Sequence, residues 1–285
     1  MTENREQTIY LHDYRPPVYL VDQAELFFDL GEESVQVRSK LSLRYNPASS
    51  IPAGTVVLQG QDLVLEELRL DGRLLAPDNY RVDGESLTIE AVPEVFELES
   101  RVRIRPKDNT ALEGLYKSKD IFCTQCEAEG FRKITFFPDR PDVMTRFITT
   151  IVADKQRCPV LLSNGNPSAV QDLGDGRHQV TWRDPHPKPC YLFALVAGRL
   201  GCIEDIFVTA SGRQVQLRIY VETHNLDKCR HAMNSLKKAM RWEEVIYGLE
   251  YDLNAYMIVA VDDFNMGAME NKGLNIFNSK YVLAR

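Results

Sequence analysis

The sequence predicts a mainly β fold: an antiparallel saddle or sandwich over residues 1–199, then the opening α/β part of a second domain over residues 200–285. Three observations lead there. Apolar residues recur at every second position in a series of short segments. Turn dipeptides such as Asp71-Gly72 and Asp83-Gly84 separate several of these segments. Only one stretch, after Leu200, carries the three- and four-residue spacing of a helix.

The elements follow in chain order. Val35, Val37, Leu41 and Leu43 alternate with Gln36, Arg38, Ser42 and Arg44, as a half-buried strand requires. Thr55 to Leu58, Leu63 to Leu70, Leu87 to Ile89 and Glu97 to Arg105 read the same way. Ile134 to Phe137, Phe147 to Ala153, Gln179 to Trp182 and Tyr191 to Leu200 complete the β-rich part, with a turn at Asn164-Gly165. The three prolines in Asp184-Pro185-His186-Pro187-Lys188-Pro189 exclude that segment from a regular ladder. Ile203 to Thr209 and Gln214 to Val221 form a hairpin around Ser211-Gly212. Asn225 is placed to cap a helix running to Tyr247, with Leu226, Cys229, Met233, Leu236, Met240 and Ile246 on its apolar face and Gly248 ending it. Two further strands, Ala255 to Val261 and Leu274 to Phe277, flank a Gly-containing loop.

Composition narrows the function. With 34 basic and 41 acidic residues the formal charge is -7, and no basic stripe or base-stacking module is visible, so a nucleic-acid partner is not expected. No run reaches the roughly 18–20 apolar residues of a membrane span, and the polar start Met1 to Gln7 lacks the form of a signal peptide. Six scattered cysteines in a chain of this length read as buried free thiols of a cytoplasmic protein.

The chemistry-bearing residues are sparse. None of the five histidines belongs to a His-Glu-x-x-His pair, so no metal ligand is assigned within the chain. Cys123-Thr124-Gln125-Cys126 lacks both the second half of a zinc site and the βαβ setting of a redox motif; packing is its simplest role. Phosphate loop, dinucleotide fingerprint and nucleophile elbow are absent. What stands out is Asp262 to Gly273, between two strands. There Gly267 and Gly273 permit close backbone approach, Met266 and Met269 offer adaptable apolar contact, and Glu270 offers a charge.

That loop contains Gly267-Ala268-Met269-Glu270-Asn271, which matches the exopeptidase motif of M1-family zinc aminopeptidases, and Phe264-Asn265-Met266 and Lys272-Gly273-Leu274-Asn275 extend the match. Thr124 to Arg132, Tyr10 to Pro17 and Phe136 to Val143 likewise resemble the bacterial aminopeptidase N type. The resemblance implies a saddle-like β domain followed by the start of a thermolysin-like catalytic domain. It implies that Glu270 and Glu127 bind the free α-ammonium of a peptide, with Gln125 as a polar contact. Gly267 and Ala268 would align the peptide through their backbone, Met266 would line the first side-chain pocket, and Met269 and Asn271 complete the substrate-binding set. The complete protein is then expected to be a monomeric zinc enzyme removing N-terminal residues from peptides. Its zinc motif should lie roughly thirty residues beyond the loop, whereas 14 residues follow Asn271 here. The chain is therefore expected to be an N-terminal fragment, inactive alone and without zinc. The alternative is a non-catalytic peptide- or protein-binding member of the same fold. A leukotriene-hydrolase-like member would carry Gly-Gly rather than Gly-Ala at the motif.

Overall fold

The computed structural model describes residues 10–264 and 266–284, so Met1 to Ile9, Asn265 and Arg285 lie outside the described residues. The chain is mainly β, as its alternation predicts. Its largest sheet has eight strands, in the order Asn166–Gly174, Arg177–Arg183, Arg146–Asp154, Tyr19–Leu30, Val35–Tyr45, Val95–Ile104, Val64–Leu70 and Arg73–Leu74. Along Val35–Tyr45 the inward residues Val35, Val37, Leu41 and Leu43 are at most 1% exposed, so the period-2 pattern is a record of which face is covered. A three-stranded sheet of Thr55–Gln59, Ser86–Glu90 and Tyr80–Val82 accompanies it.

One pairing departs from the antiparallel expectation. Tyr19–Leu30 runs parallel to Arg146–Asp154, with Gln23 opposite Arg146 and Asp29 opposite Val152. Alternation reports burial, not strand direction, so the sequence carried no sign of it. Ile134 to Phe137 also departs: it follows a 3₁₀ turn, Phe131–Lys133, and makes only a bridge between Phe137 and Gln59. Its apolar residues are buried in an aromatic cluster in which Phe131 meets Phe137, Phe147 and Phe193 edge-on, 5.0 Å from Phe137 and 5.3 Å from Phe193. The residues from Tyr191 divide likewise into a 3₁₀ turn, Cys190–Leu192, and a strand, Leu195–Gly198.

A four-stranded sheet, ordered Val160–Ser163, Leu195–Gly198, Ile121–Gln125 and Gly114–Ser118, shares one core with the large sheet and the last part of the chain. That last part is a five-stranded sheet of Gly201–Val208, Gln214–Val221, Ala255–Val261, Leu274–Asn278 and Ala268–Met269. Its two faces have different neighbours. Met257, Val259, Val261, Leu274 and Ile276 join the core of the preceding sheets. Val215, Leu217, Ile219, Ile258 and Ala260 pack on Met233, Leu236 and Met240 of the helix Arg230–Tyr247. Asn225 does not cap that helix. It sits inside a preceding 3₁₀ segment, Thr223–Lys228, and its side-chain oxygen accepts from Lys228 Nζ at 2.6 Å. Gly248 ends the helix in the left-handed region at φ 65°.

Candidate functional site

The predicted site residues fall on two segments. Gln125 ends the Ile121–Gln125 strand and is 2% exposed; its Nε2 donates to the Glu127 carbonyl at 3.3 Å. Glu127 itself is exposed, in the turn that leads to Phe131. That turn is held close. Gly130 N donates to Cys126 O at 2.9 Å, and a Cβ on Gly130 would lie 2.5 Å from Gln125 O and 2.8 Å from Gly114 N. Only glycine fits there. Gly130→Ala is expected to cost about 1–3 kcal/mol through forced backbone displacement, read as a lower urea midpoint at unchanged slope.

On the second segment Met266 is 41% exposed and Gly267 is exposed. Ala268–Met269 forms a short strand antiparallel to Leu274–Asn278, with Ala268 opposite Phe277 and Met269 opposite Ile276. Met269 therefore shares the inward face of Ile276 and is 3% exposed in the core. Glu270 is exposed. Its carboxylate is felt by Tyr256, whose phenol is raised first by burial and then by Glu270. Asn271 turns inward, 1% exposed, and its Nδ2 donates to Met269 O at 3.3 Å. The side chains of Met269 and Asn271 thus face the interior, while Glu127, Met266 and Glu270 face solvent.

Both ends of the loop are tied to the four-stranded sheet that carries Gln125. Ser118 Oγ donates to Asp263 Oδ2 at 3.4 Å, and Asn164 Nδ2 donates to Lys272 O at 3.0 Å. Lys272 Nζ reaches Asp252 Oδ2 at 2.8 Å, which also lies 3.2 Å from His186 Nε2. Burial pushes the Asp252 carboxyl up, but Lys272 and His186 outweigh it and hold it below the usual range.

Gln125 Oε1 and Asn271 Oδ1 are buried and have no hydrogen-bond partner. Both oxygens lie inside the fold, whereas the Glu127 and Glu270 carboxylates belong to exposed residues. The Cys123-x-x-Cys126 pair plays no part in this chemistry. Both thiols are buried and unpaired, and burial pushes Cys123 up to about 12 and Cys126 well above its ordinary value.

One group of possible metal ligands occurs among the described residues: Glu222, His224 and Asp262, with ligand atoms within 4.8 Å of one another. It does not suit zinc. Lys119 Nζ lies 3.2 Å from Glu222 and 3.5 Å from Asp262, so an ammonium already neutralises the carboxylates. A cleft of about 970 Å³ beside it, lined in part by Lys119, Arg157, Arg199, Glu222 and His224, contains none of the eight predicted site residues. Sequence reasoning passed over Asn164 and Tyr256. The Asn164-Gly165 dipeptide signalled a turn, but its side chain also reaches Lys272, more than a hundred residues away.

Comparison with known proteins agrees with the motif. The Peptidase M1 N-terminal domain matches residues 36–192 and the Peptidase family M1 domain matches residues 231–285. Aminopeptidase N of Escherichia coli (strain K12) is 53% identical over 279 residues, covering 98% of this chain and 32% of that protein. Aminopeptidase N of Caulobacter vibrioides is 51% identical, covering 100% and 32%. The crystal structure of Legionella pneumophila aminopeptidase A in complex with aspartic acid superposes with a TM-score of 0.92 at 36% identity, covering 96% of this chain and 32% of that one. The chain thus spans about a third of the length of the relatives it matches. No helix among its described residues is long and apolar enough to cross a membrane. With a family model covering more than half of it and a matching fold, the chain belongs to the M1 peptidase family.

Proposed function

We propose that this chain recognises the free α-ammonium group of a peptide, within a longer zinc-dependent aminopeptidase that removes N-terminal residues. The observation that carries this reading is a pair of exposed carboxylates, Glu127 and Glu270, one in each of the two segments that the M1 family matches cover. A primary ammonium brings three N–H donors and one positive charge, which two carboxylates can accept and neutralise. An internal peptide bond brings neither, so the same residues would select chain ends by leaving anything else unsatisfied. Gly267 and Ala268 would hold the peptide backbone along the edge of the short Ala268–Met269 strand, and exposed Met266 would adapt to its first side chain.

In this reading residues 1–199 form the β domain and residues 200–285 the opening of the catalytic domain. Zinc would supply Lewis-acid polarisation and an activated water. The described residues offer no suitable donor set, so we assign its ligands to other parts of the protein. The six free cysteines fit a reducing, cytoplasmic setting, and we propose a monomer.

The test compares a full-length protein carrying this chain with the 285-residue chain alone. Both are assayed on an aminoacyl reporter with and without an N-acetyl block, after chelation and after zinc is restored. The expected result is zinc-dependent turnover of the free-amine reporter by the full-length protein only. A full-length protein that binds free-amine peptides without turning them over would support the non-catalytic alternative. Equal handling of blocked and free substrates would refute amine recognition.

A further inference from the structure

We propose that Asn164 is a positioning residue for amine recognition, setting the Glu270 loop against the strand that leads to Glu127; this rests on the ammonium-binding reading above.

The argument starts from the backbone of the loop. Gly267 O accepts from Asn278 N at 3.0 Å, Met269 O from Asn271 Nδ2 at 3.3 Å, Asn271 O from Leu274 N at 3.1 Å and Gly273 O from Met257 N at 3.0 Å. All four donors belong to the same sheet as the loop or to the loop itself. Lys272 O is different. Its donor is Asn164 Nδ2, at 3.0 Å, from the end of the Val160–Ser163 strand in the four-stranded sheet. Bonds within the loop's own sheet keep its shape, but they cannot fix its place relative to a residue on another sheet. The Asn164 bond does both at once, two residues from Glu270.

Asn164 is itself immobilised. It is 3% exposed, its Oδ1 accepts from Ala194 N at 2.7 Å, and its Nδ2 also donates to Leu192 O at 3.0 Å. An N–H on one side and two carbonyls on the other leave one amide orientation that satisfies all three. Its anchor continues toward Glu127. Leu195, next to Ala194, donates its N–H to Thr124 Oγ1 at 2.9 Å, and Thr124 precedes Gln125, whose Nε2 holds the Glu127 carbonyl. Asn164, Ala194, Leu195, Thr124 and Gln125 are all 3% exposed or less. A short buried path of hydrogen bonds and adjoining backbone therefore joins the two carboxylate-bearing segments. Asn164 makes its crossing between sheets on the Glu270 side of the loop, while Ser118 ties the other end through Asp263. The backbones approach closely here: Gly165 and Gly273 have φ of +89° and +82°, and a Cβ on Gly273 would sit 3.3 Å from Gly165 N. Displacement of one binding group by about 1 Å costs up to roughly a hundredfold where two groups must act on one ligand atom.

The test uses Asn164→Ala and Asn164→Asp. The second keeps an oxygen for Ala194 N and places an acceptor, not a donor, against Lys272 O, so the crossing is lost even if the alanine variant folds poorly. In the full-length protein, each is expected to raise KM for a free-amine reporter about tenfold, with the N-acetyl reporter little changed. In a Glu127→Ala background, Asn164→Ala should produce no further loss of selectivity, because the alignment it maintains has no second partner. An unchanged selectivity ratio in both variants, with Glu270→Ala collapsing it, would overturn the role of Asn164 and leave amine recognition standing. Equal losses with and without Glu127 would also overturn it, as the signature of general destabilisation. Hydrogen exchange on the 285-residue chain gives a reading independent of activity. The amides of 267–274 should exchange at least tenfold faster in the variants, and unchanged protection there would refute the anchoring itself.

Discussion

Replacing Glu270 by alanine in the full-length protein is expected to lower kcat/KM for a free-amine substrate by about ten- to a hundredfold, from the roughly 1.5–3 kcal/mol of a hydrogen bond to a charged group. The N-acetyl substrate should change little, so the ratio between the two is the informative quantity. Glu270→Gln keeps an acceptor and loses the charge, and should fall between wild type and alanine. The same pair of measurements on Glu127→Ala asks whether the second carboxylate acts on the same group. If it does, the two losses will not add, since removing either leaves the ammonium half-neutralised. A Glu270→Ala enzyme that still separated free from blocked amines as the wild type does would remove the basis of the proposed function.

The second large effect concerns stability. Asp184→Ala is expected to cost about 3–5 kcal/mol, because it strands a buried ammonium. Lys188 Nζ lies 2.9 Å from Asp184 Oδ2, with side-chain exposures of 3% and 1%, and stacks 4.3 Å from the centre of the Phe147 ring. Burial lowers the Lys188 pKa below 10.5, opposed by Asp184. Without Asp184 it should fall further. A base depressed in the folded state is bound to more protons when unfolded, so stability rises with pH across the window below 10.5. The deficit of Asp184→Ala relative to wild type should accordingly shrink as pH is raised toward 10.5. The double variant Asp184→Leu, Lys188→Met should recover most of the loss, since no unpaired charge remains. Urea unfolding of wild type and the two variants across pH checks both statements. An alanine variant within 1 kcal/mol of wild type would show that water reaches Lys188.

Much of this architecture was legible because strands buried on one face must alternate. Val35 to Arg44 and Gln214 to Val221 were found by that rule, and Gly248 by the left-handed turn it permits. Where burial came from all sides the rule failed. Ile134, Phe136 and Phe137 are fully buried around an aromatic cluster, and nothing local distinguishes that from a strand. At Asn225 the cap preference was real chemistry at the wrong residue, since its oxygen found Lys228 instead. The site divides in the same way. The motif at Gly267 to Asn271 and the Gln125-to-Glu127 segment could be named from a resemblance. That Met269 points inward follows only from its register against Leu274–Asn278, and the burial of Asn271 from the turn that joins the two strands. Asn164 was invisible as more than a turn residue, because its three partners lie at Leu192, Ala194 and Lys272.

The parallel pairing of Tyr19–Leu30 with Arg146–Asp154 has a consequence for how the protein is made. The first long strand finds one neighbour, Val35–Tyr45, almost at once, but its other edge stays open until the ribosome has delivered a segment more than a hundred residues further on. At ordinary synthesis rates that interval is on the order of ten seconds. Throughout it, an unpaired edge bearing Leu26 and Phe28 is available to any other nascent chain. Aggregation during expression should therefore depend on translation speed and on chaperone supply upstream of residue 146, more than on the stability of the finished fold.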